Sequence, residues 1–208
     1  MSETERGVKA DLRSYYEREA ELGHRSAVGP NRLRARNEFI ERLKTEGRDH
    51  VVDFGAGPGI DVEGFVGAGI ACVGLDLAVG NAKLAAGRGL QVIASSIAAP
   101  PLRAASFDAG WSMSTFMHVP EAQASGVARA MAMPLAAGAP LMVGLWGGAR
   151  RDEISTAHIE GERRLFSMRP LGLNRELLRA AGTIEHSETW DVGPDNWEYQ
   201  LFLIRARN

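Results

Sequence analysis

The stretch from residue 51 to residue 61, Val-Val-Asp-Phe-Gly-Ala-Gly-Pro-Gly-Ile-Asp, constrains this chain more than any other. A short apolar run ends in an acid and is followed by glycines at alternate positions, Gly55, Gly57 and Gly59. The β-branched Val51 and Val52 suit a strand covered on both faces, and the glycines give the backbone freedom where it must turn sharply and let a ligand approach. The pattern predicts a buried strand turning into a helix beneath a nucleotide-like ligand.

The neighbouring charges decide between ligands. A dinucleotide fingerprint reads G-x-G-x-x-G, but position 60 is Ile and the third glycine comes one residue early. Asp53 and Asp61 flank the turn, so a pyrophosphate there would meet like charge, worth roughly 4 kcal/mol per pair at ~4 Å and an effective dielectric of ~20. S-adenosylmethionine has no phosphate, and its ammonium and sulfonium are both positive. In Asp53-Phe54-Gly55-Ala56-Gly57-Pro58-Gly59 the sequence resembles the class I S-adenosylmethionine-dependent methyltransferases, whose first motif is an acid followed by G-x-G-x-G. Val73-Gly74-Leu75-Asp76-Leu77 is a second match, with Asp76 where a second parallel strand ends and an acid can take both ribose hydroxyls.

A chain of 208 residues suffices for one well-buried core. Its 45% hydrophobic and 24% charged residues are those of a globular protein, and a net charge of −2 gives no global reason to bind nucleic acid. The lone Cys72 has no internal disulfide partner and the start is too charged for a secretion signal, so a cytoplasmic location is the expectation. Residues 130–149 carry no charge, but Pro134, Gly138, Pro140, Gly144, Gly147 and Gly148 interrupt them; they read as a helix end, a turn and a buried strand, not a membrane span.

Along the chain, helices are expected over 8–22 and 31–46, the second with Asn31 as N-cap. Strands at 50–52, 70–75, 91–95, 109–113 and 139–146 alternate with helices at 59–67, 81–88 and 121–133. A helix over 174–181, capped by Gly182, precedes an antiparallel pair at 183–190 and 197–205. The fold class is α/β, a Rossmann-like, doubly wound, mostly parallel sheet with a terminal antiparallel hairpin. We expect one domain over 1–208, with 1–46 an N-terminal helical cap and 147–173 an acceptor-binding insertion at the carboxyl edge of the sheet.

The resemblance implies a set of cofactor contacts: Asp53, Gly55, Ala56 and Gly57 at the turn, Asp76 and Leu77 after the second strand, Ser96 and Ile97 for adenine, and Met113 and Ser114 beneath the methionine part. Ser96 stands where the family often has an acid, and Val79-Gly80-Asn81 replaces its usual large apolar residue near adenine. Tyr15 and Tyr16 either pack the first helix onto the body or, as the resemblance implies, reach the cofactor, Tyr16 being the named contact. The arginines of the second helix, Arg32, Arg34, Arg36 and Arg42, read as a solvated face because Glu38, Glu41 and Glu46 interleave with them. Methyl transfer is an in-line displacement in which the protein mainly aligns and excludes water, and a base is needed only for a protonated acceptor. His118 and His158 are the candidate bases, with a backbone-bonded turn the alternative for His118; His24, His50 and His186 read as structural or exposed. No Cys/His cluster has metal spacing. The partner expected is a small-molecule acceptor with an N or O nucleophile, without nucleic acid or membrane. An RNA or protein methyltransferase is the alternative, and a dinucleotide oxidoreductase or a non-catalytic cofactor-binding protein stands further off. Oligomeric state is not legible.

Overall fold

The computed structural model describes residues 3–23, 28–192 and 197–207. Two helices, α1 (Glu3–Leu22) and α2 (Pro30–Thr45), precede β1 (His50–Phe54), α3 (Ile60–Gly67), β2 (Ala71–Asp76), α4 (Val79–Ala86) and β3 (Val92–Ala94). Then come β4 (Ala109–Met113), a 3₁₀ turn (Phe116–His118), α5 (Glu121–Ala132), β5 (Pro140–Gly147), β6 (Arg151–Ser155) and β7 (Arg164–Met168). The chain ends with α6 (Leu171–Leu178), β8 (Gly182–Val192) and β9 (Glu198–Ala206).

Seven strands form one sheet in the order β3-β2-β1-β4-β5-β9-β8. The first five are parallel, and β9 runs antiparallel between β5 and β8. Side-chain alternation along β1 assigns Val52 and Phe54 to one core and Val51 to the other. The first core is closed by α5 and α6 through Ala124, Val127, Met131 and Leu178, the second by α2 and α3 through Phe39, Leu43, Val62 and Phe65. Both faces are therefore covered, which is why β1 is apolar without alternation. The strand order reverses between β1 and β4, and a crevice at the carboxyl ends of those strands follows from that topology.

Several boundaries differ from expectation for local reasons. Asn31 is not the N-cap of α2: Gly29 holds that position in extended backbone and Pro30 opens the helix, where its fixed φ and missing N–H are tolerated. Helix α6 begins at Leu171 after Pro170, three residues before the expected start, and Gly182 begins β8 instead of capping a helix. Asn174 is buried in α6, bonded to Arg169 and Gln200. The segment 147–173 contains a two-stranded antiparallel sheet, β6 with β7. All five residues of β7 are buried, so it shows no period-two signal. No helix among the described residues is long and apolar enough to cross a membrane.

Candidate functional site

The glycine turn is built as its composition demands. Gly55, Gly57 and Gly59 all have positive φ, at 85°, 56° and 87°. Gly55 and Ala56 donate their N–H groups to the Leu75 carbonyl at 2.7 and 2.9 Å, pinning the turn to the end of β2. A Cβ on Gly55 would lie 1.9 Å from Thr115 Oγ1, so only glycine fits between the turn and the segment after β4. Asp76 is buried at the end of β2: its Oδ2 accepts from Gly57 N–H at 2.8 Å, and its Oδ1 from Ala78 N–H at 2.9 Å and Asn81 Nδ2 at 3.1 Å. From α1, Glu17 accepts the N–H groups of Val79 and Gly80 at 2.6 and 2.7 Å, capping α4 with a carboxylate against the helix dipole. Neither this cap nor its reach across the cleft was legible in the sequence.

The two acids flanking the turn have different surroundings. Asp61 is 0% exposed and points inward, its Oδ2 bonded to Arg32 Nε and Nη2 at 2.8 and 2.6 Å and to Trp111 Nε1 at 2.8 Å. Its Oδ1 takes Arg36 Nη1 at 2.9 Å. Two guanidiniums thus outweigh one carboxylate, so Asp61 presents no negative field to a ligand and that half of the charge argument is overturned. The same pairs correct the reading of Arg32 and Arg36 as a solvated face; Arg34 and Arg42 do pair with exposed or half-buried acids. Asp53 is fully buried, and neither carboxylate oxygen has a hydrogen-bond partner among the described residues. Burial first, and then the charge of Asp61, push its carboxyl well above the usual range, with Arg32 acting against them.

At the end of β4, Ser114 adopts φ 57°, a left-handed conformation that is uncommon for a residue with a Cβ. Its N–H donates to the Gly144 carbonyl at 2.7 Å, and its Oγ lies 3.0 Å from Tyr199 Oη. Burial raises the pKa of the Tyr199 phenol above its ordinary value, so it acts as a neutral hydroxyl. The following turn is held by the buried Arg169, whose Nη1 and Nη2 donate to the carbonyls of Val119 and Phe116, both at 3.1 Å. That turn carries His118, which is 5% exposed. Its Nδ1 is 2.6 Å from the Leu165 carbonyl, an atom that can only accept, so Nδ1 carries the proton. Its Nε2 is 2.8 Å from Tyr16 Oη.

These elements enclose a cleft of about 970 Å³, open mouth included, above the glycine turn. Of the residues expected at the site, Tyr16, Gly55, Asp76, Leu77, Ser96, Ile97, Ser114 and His118 line it. Gly57 lies beneath, holding Asp76, and the side chain of Met113 belongs to the core, against Tyr199 Oη at 3.6 Å. His158 does not line the cleft: it is exposed on a bend, and its neighbour Ile159 is the residue that packs against Tyr15, Tyr16 and Ala78. Among the other histidines, His50 and His186 are exposed, and His24 lies outside the described residues. The cleft wall also contains Val8 and Leu12, which with Tyr16 follow an i, i+4 spacing on α1 that could have signalled them. Ala56 and Ser114 border a second cavity, walled by Arg32, Trp146, Trp190 and Tyr199.

Residues 52–138, which hold the turn, Asp76 and the end of β4, match the family model of a methyltransferase domain. No curated protein matches the chain. A solved structure of the Burkholderia thailandensis 1,6-didemethyltoxoflavin-N1-methyltransferase, with bound 1,6-didemethyltoxoflavin and S-adenosylhomocysteine, is 19% identical with a TM-score of 0.74, the match covering 100% of this chain and 92% of that one. A complex of DhpI with S-adenosylhomocysteine is likewise 19% identical, with a TM-score of 0.70 over 97% of this chain and 98% of that chain. The [4+2]-cyclase SpnF, 17% identical over 84% of this chain and 80% of that one, has a TM-score of 0.68, so the same fold also carries other chemistry. The methyltransferase-domain match thus covers the central part of the chain, and the fold of the whole is the one shared with these solved structures.

Proposed function

We propose that this chain is an S-adenosylmethionine-dependent methyltransferase that methylates a small molecule at a nitrogen or oxygen nucleophile. The observation that carries this reading is the convergence of Gly55, Asp76, Leu77, Ser96, Ile97 and Ser114 on one cleft at the strand reversal. Their chemistry fits a nucleoside carrying an amino-acid tail. The carboxylate of Asp76 already accepts three hydrogen bonds, two of them on Oδ1. About four lone-pair sites leave one, on Oδ2, for a ribose hydroxyl, so we assign it one hydroxyl where the sequence suggested two. Ser96 and Ile97 would meet adenine, and Ser114 the amino-acid end. When bound, S-adenosylmethionine supplies an electrophilic methyl group on a positive sulfur. The chain's part is to align the acceptor and keep water out, with α1 and the loop around Ile159 as the cover. Where the acceptor brings a proton, the basic atom on offer is His118 Nε2, reached through the Tyr16 hydroxyl. We assign His158 no such role. The small-molecule reading draws on the near-neutral net charge.

Calorimetry tests the donor: S-adenosylhomocysteine should bind and NAD should not. Asp76→Ala should weaken binding by about 1.5–3 kcal/mol, roughly ten- to a hundredfold. Labelled S-adenosylmethionine offered with a metabolite panel and with bulk RNA tests the acceptor. Label on RNA alone, with steep salt dependence, would overturn the small-molecule reading.

A further inference from the structure

The second cavity lies across Ser114 from the cleft, and its walls are rings in a fixed arrangement. Trp190 and Tyr199 are nearly parallel, 14° apart with centroids 5.1 Å apart, and Trp146 stands at 87° to Tyr199 at 5.3 Å. Tyr199 stands between the two tryptophans, stacked on one and edge-on to the other. Each ring has a further partner: Ser114 Oγ lies 3.0 Å from Tyr199 Oη, the Arg34 guanidinium 5.5 Å from the centre of Trp190, and Trp197 6.2 Å from Trp146. A flat π system entering a cavity lined by three such rings gains offset-stacked or edge-to-face contacts beyond its burial, the arrangements aromatic rings favour. A saturated ring of the same size gains only the burial.

Charge narrows the occupant further. Among the described residues lining the cavity, Arg32 is the one charged side chain and no acid is present, so a cationic amine finds no counter-ion. The polar floor is the Ser114–Tyr199 hydroxyl pair, at the point where cavity and cleft meet.

We propose that this cavity is the acceptor subsite and that it takes a flat aromatic or heteroaromatic molecule, neutral or anionic, whose hydroxyl or ring N–H meets Ser114 and Tyr199. The proposal rests on the methyl-transfer reading and adds the substrate class to it. The test is calorimetry on the full chain saturated with S-adenosylhomocysteine, using naphthol and lumazine as flat probes and decalol as the saturated counterpart. The flat probes should bind, with decalol about tenfold weaker. Trp190→Ala should weaken the flat probes about tenfold while S-adenosylhomocysteine binds within about twofold of wild type, and Trp190→Phe should recover most of the loss. Equal binding of decalol and naphthol, absence of flat-probe binding, or indifference to Trp190→Ala overturns the proposal. If Trp190→Ala also loses S-adenosylhomocysteine, the naphthol-to-decalol comparison on wild type and Trp190→Phe decide. Failure of S-adenosylhomocysteine to bind wild type would sink the methyl-transfer reading itself; binding of S-adenosylhomocysteine without the flat probes sinks only this one.

Discussion

Asp53 shows how differently two acids of one motif behave. Asp61, eight positions on, has two arginines and a tryptophan, whereas Asp53 is fully buried with neither oxygen bonded among the described residues. Because burial raises its folded-state pKa, the neutral acid is the form the fold tolerates. The sign follows: stability is fully present below the unfolded value near 3.8 and is lost as pH rises through the folded pKa. Asp53→Asn should therefore raise the melting temperature relative to wild type at pH 8, with the gain shrinking as pH falls toward 4. Paired thermal melts across that range check it, and a gain independent of pH would mean that the carboxyl is not the cause.

Helix α1 is not part of the sheet's minimal frame, yet Glu17 ties it to the start of α4, and Arg163 reaches Asp11 from the insertion at 3.3 Å. Arg164 lies over the Tyr15 ring at 4.4 Å, so helix and insertion pack as one cover. The two expected cap helices thus diverge: α1 lies over the cleft, while α2 packs on the sheet through Phe39, Ile40 and Leu43. Glu17→Ala removes two charge-assisted bonds that hold α1 at the cleft. It should raise amide exchange across α1 and weaken S-adenosylhomocysteine about tenfold, with the sheet amides unchanged. Unchanged exchange in α1 would show that the apolar contacts of Tyr15 and Tyr16 suffice.

Across the whole molecule, Glu46 joins distant parts of the chain. It takes Arg205 of β9 at 2.5 and 2.6 Å and Arg48 at 2.9 Å, tying the end of α2 to the last strand. Arg205, foremost, holds its carboxyl at about 2, below its ordinary value of 4.5. The stability from this depressed pKa is present above about 4.5 and lost as pH falls toward 2. Glu46→Gln should cost about 1–3 kcal/mol at pH 7, discounted for partial exposure. Urea melts at pH 7 and pH 3 should show the difference narrowing at the lower pH.

The sequence by itself determined what is encoded within one strand and its next turn. Val51 and Val52 specified a doubly covered strand, three alternate glycines specified a turn with positive φ, and Asp76 stood where the next strand had to end. Those features are local, because backbone conformation and burial period are set by neighbours in the chain. The tertiary structure alone decided where side chains point and what they meet. Asp61 turned out to face Arg32 and Arg36 and not a ligand, because the packing of α2 on α3 chose that face of the helix. His118 came to Tyr16 while His158 stayed outside, because β7 brought the Leu165 carbonyl to one imidazole nitrogen and α1 brought a phenol to the other. Trp146, Trp190 and Tyr199, apart in the chain, came to line one cavity because β9 inserts antiparallel between β5 and β8 and sets them in register: Tyr199 pairs with Trp146 on one side and with Trp190 on the other. No local pattern carries such pairings, since they depend on strand order, and strand order is a property of the assembled sheet.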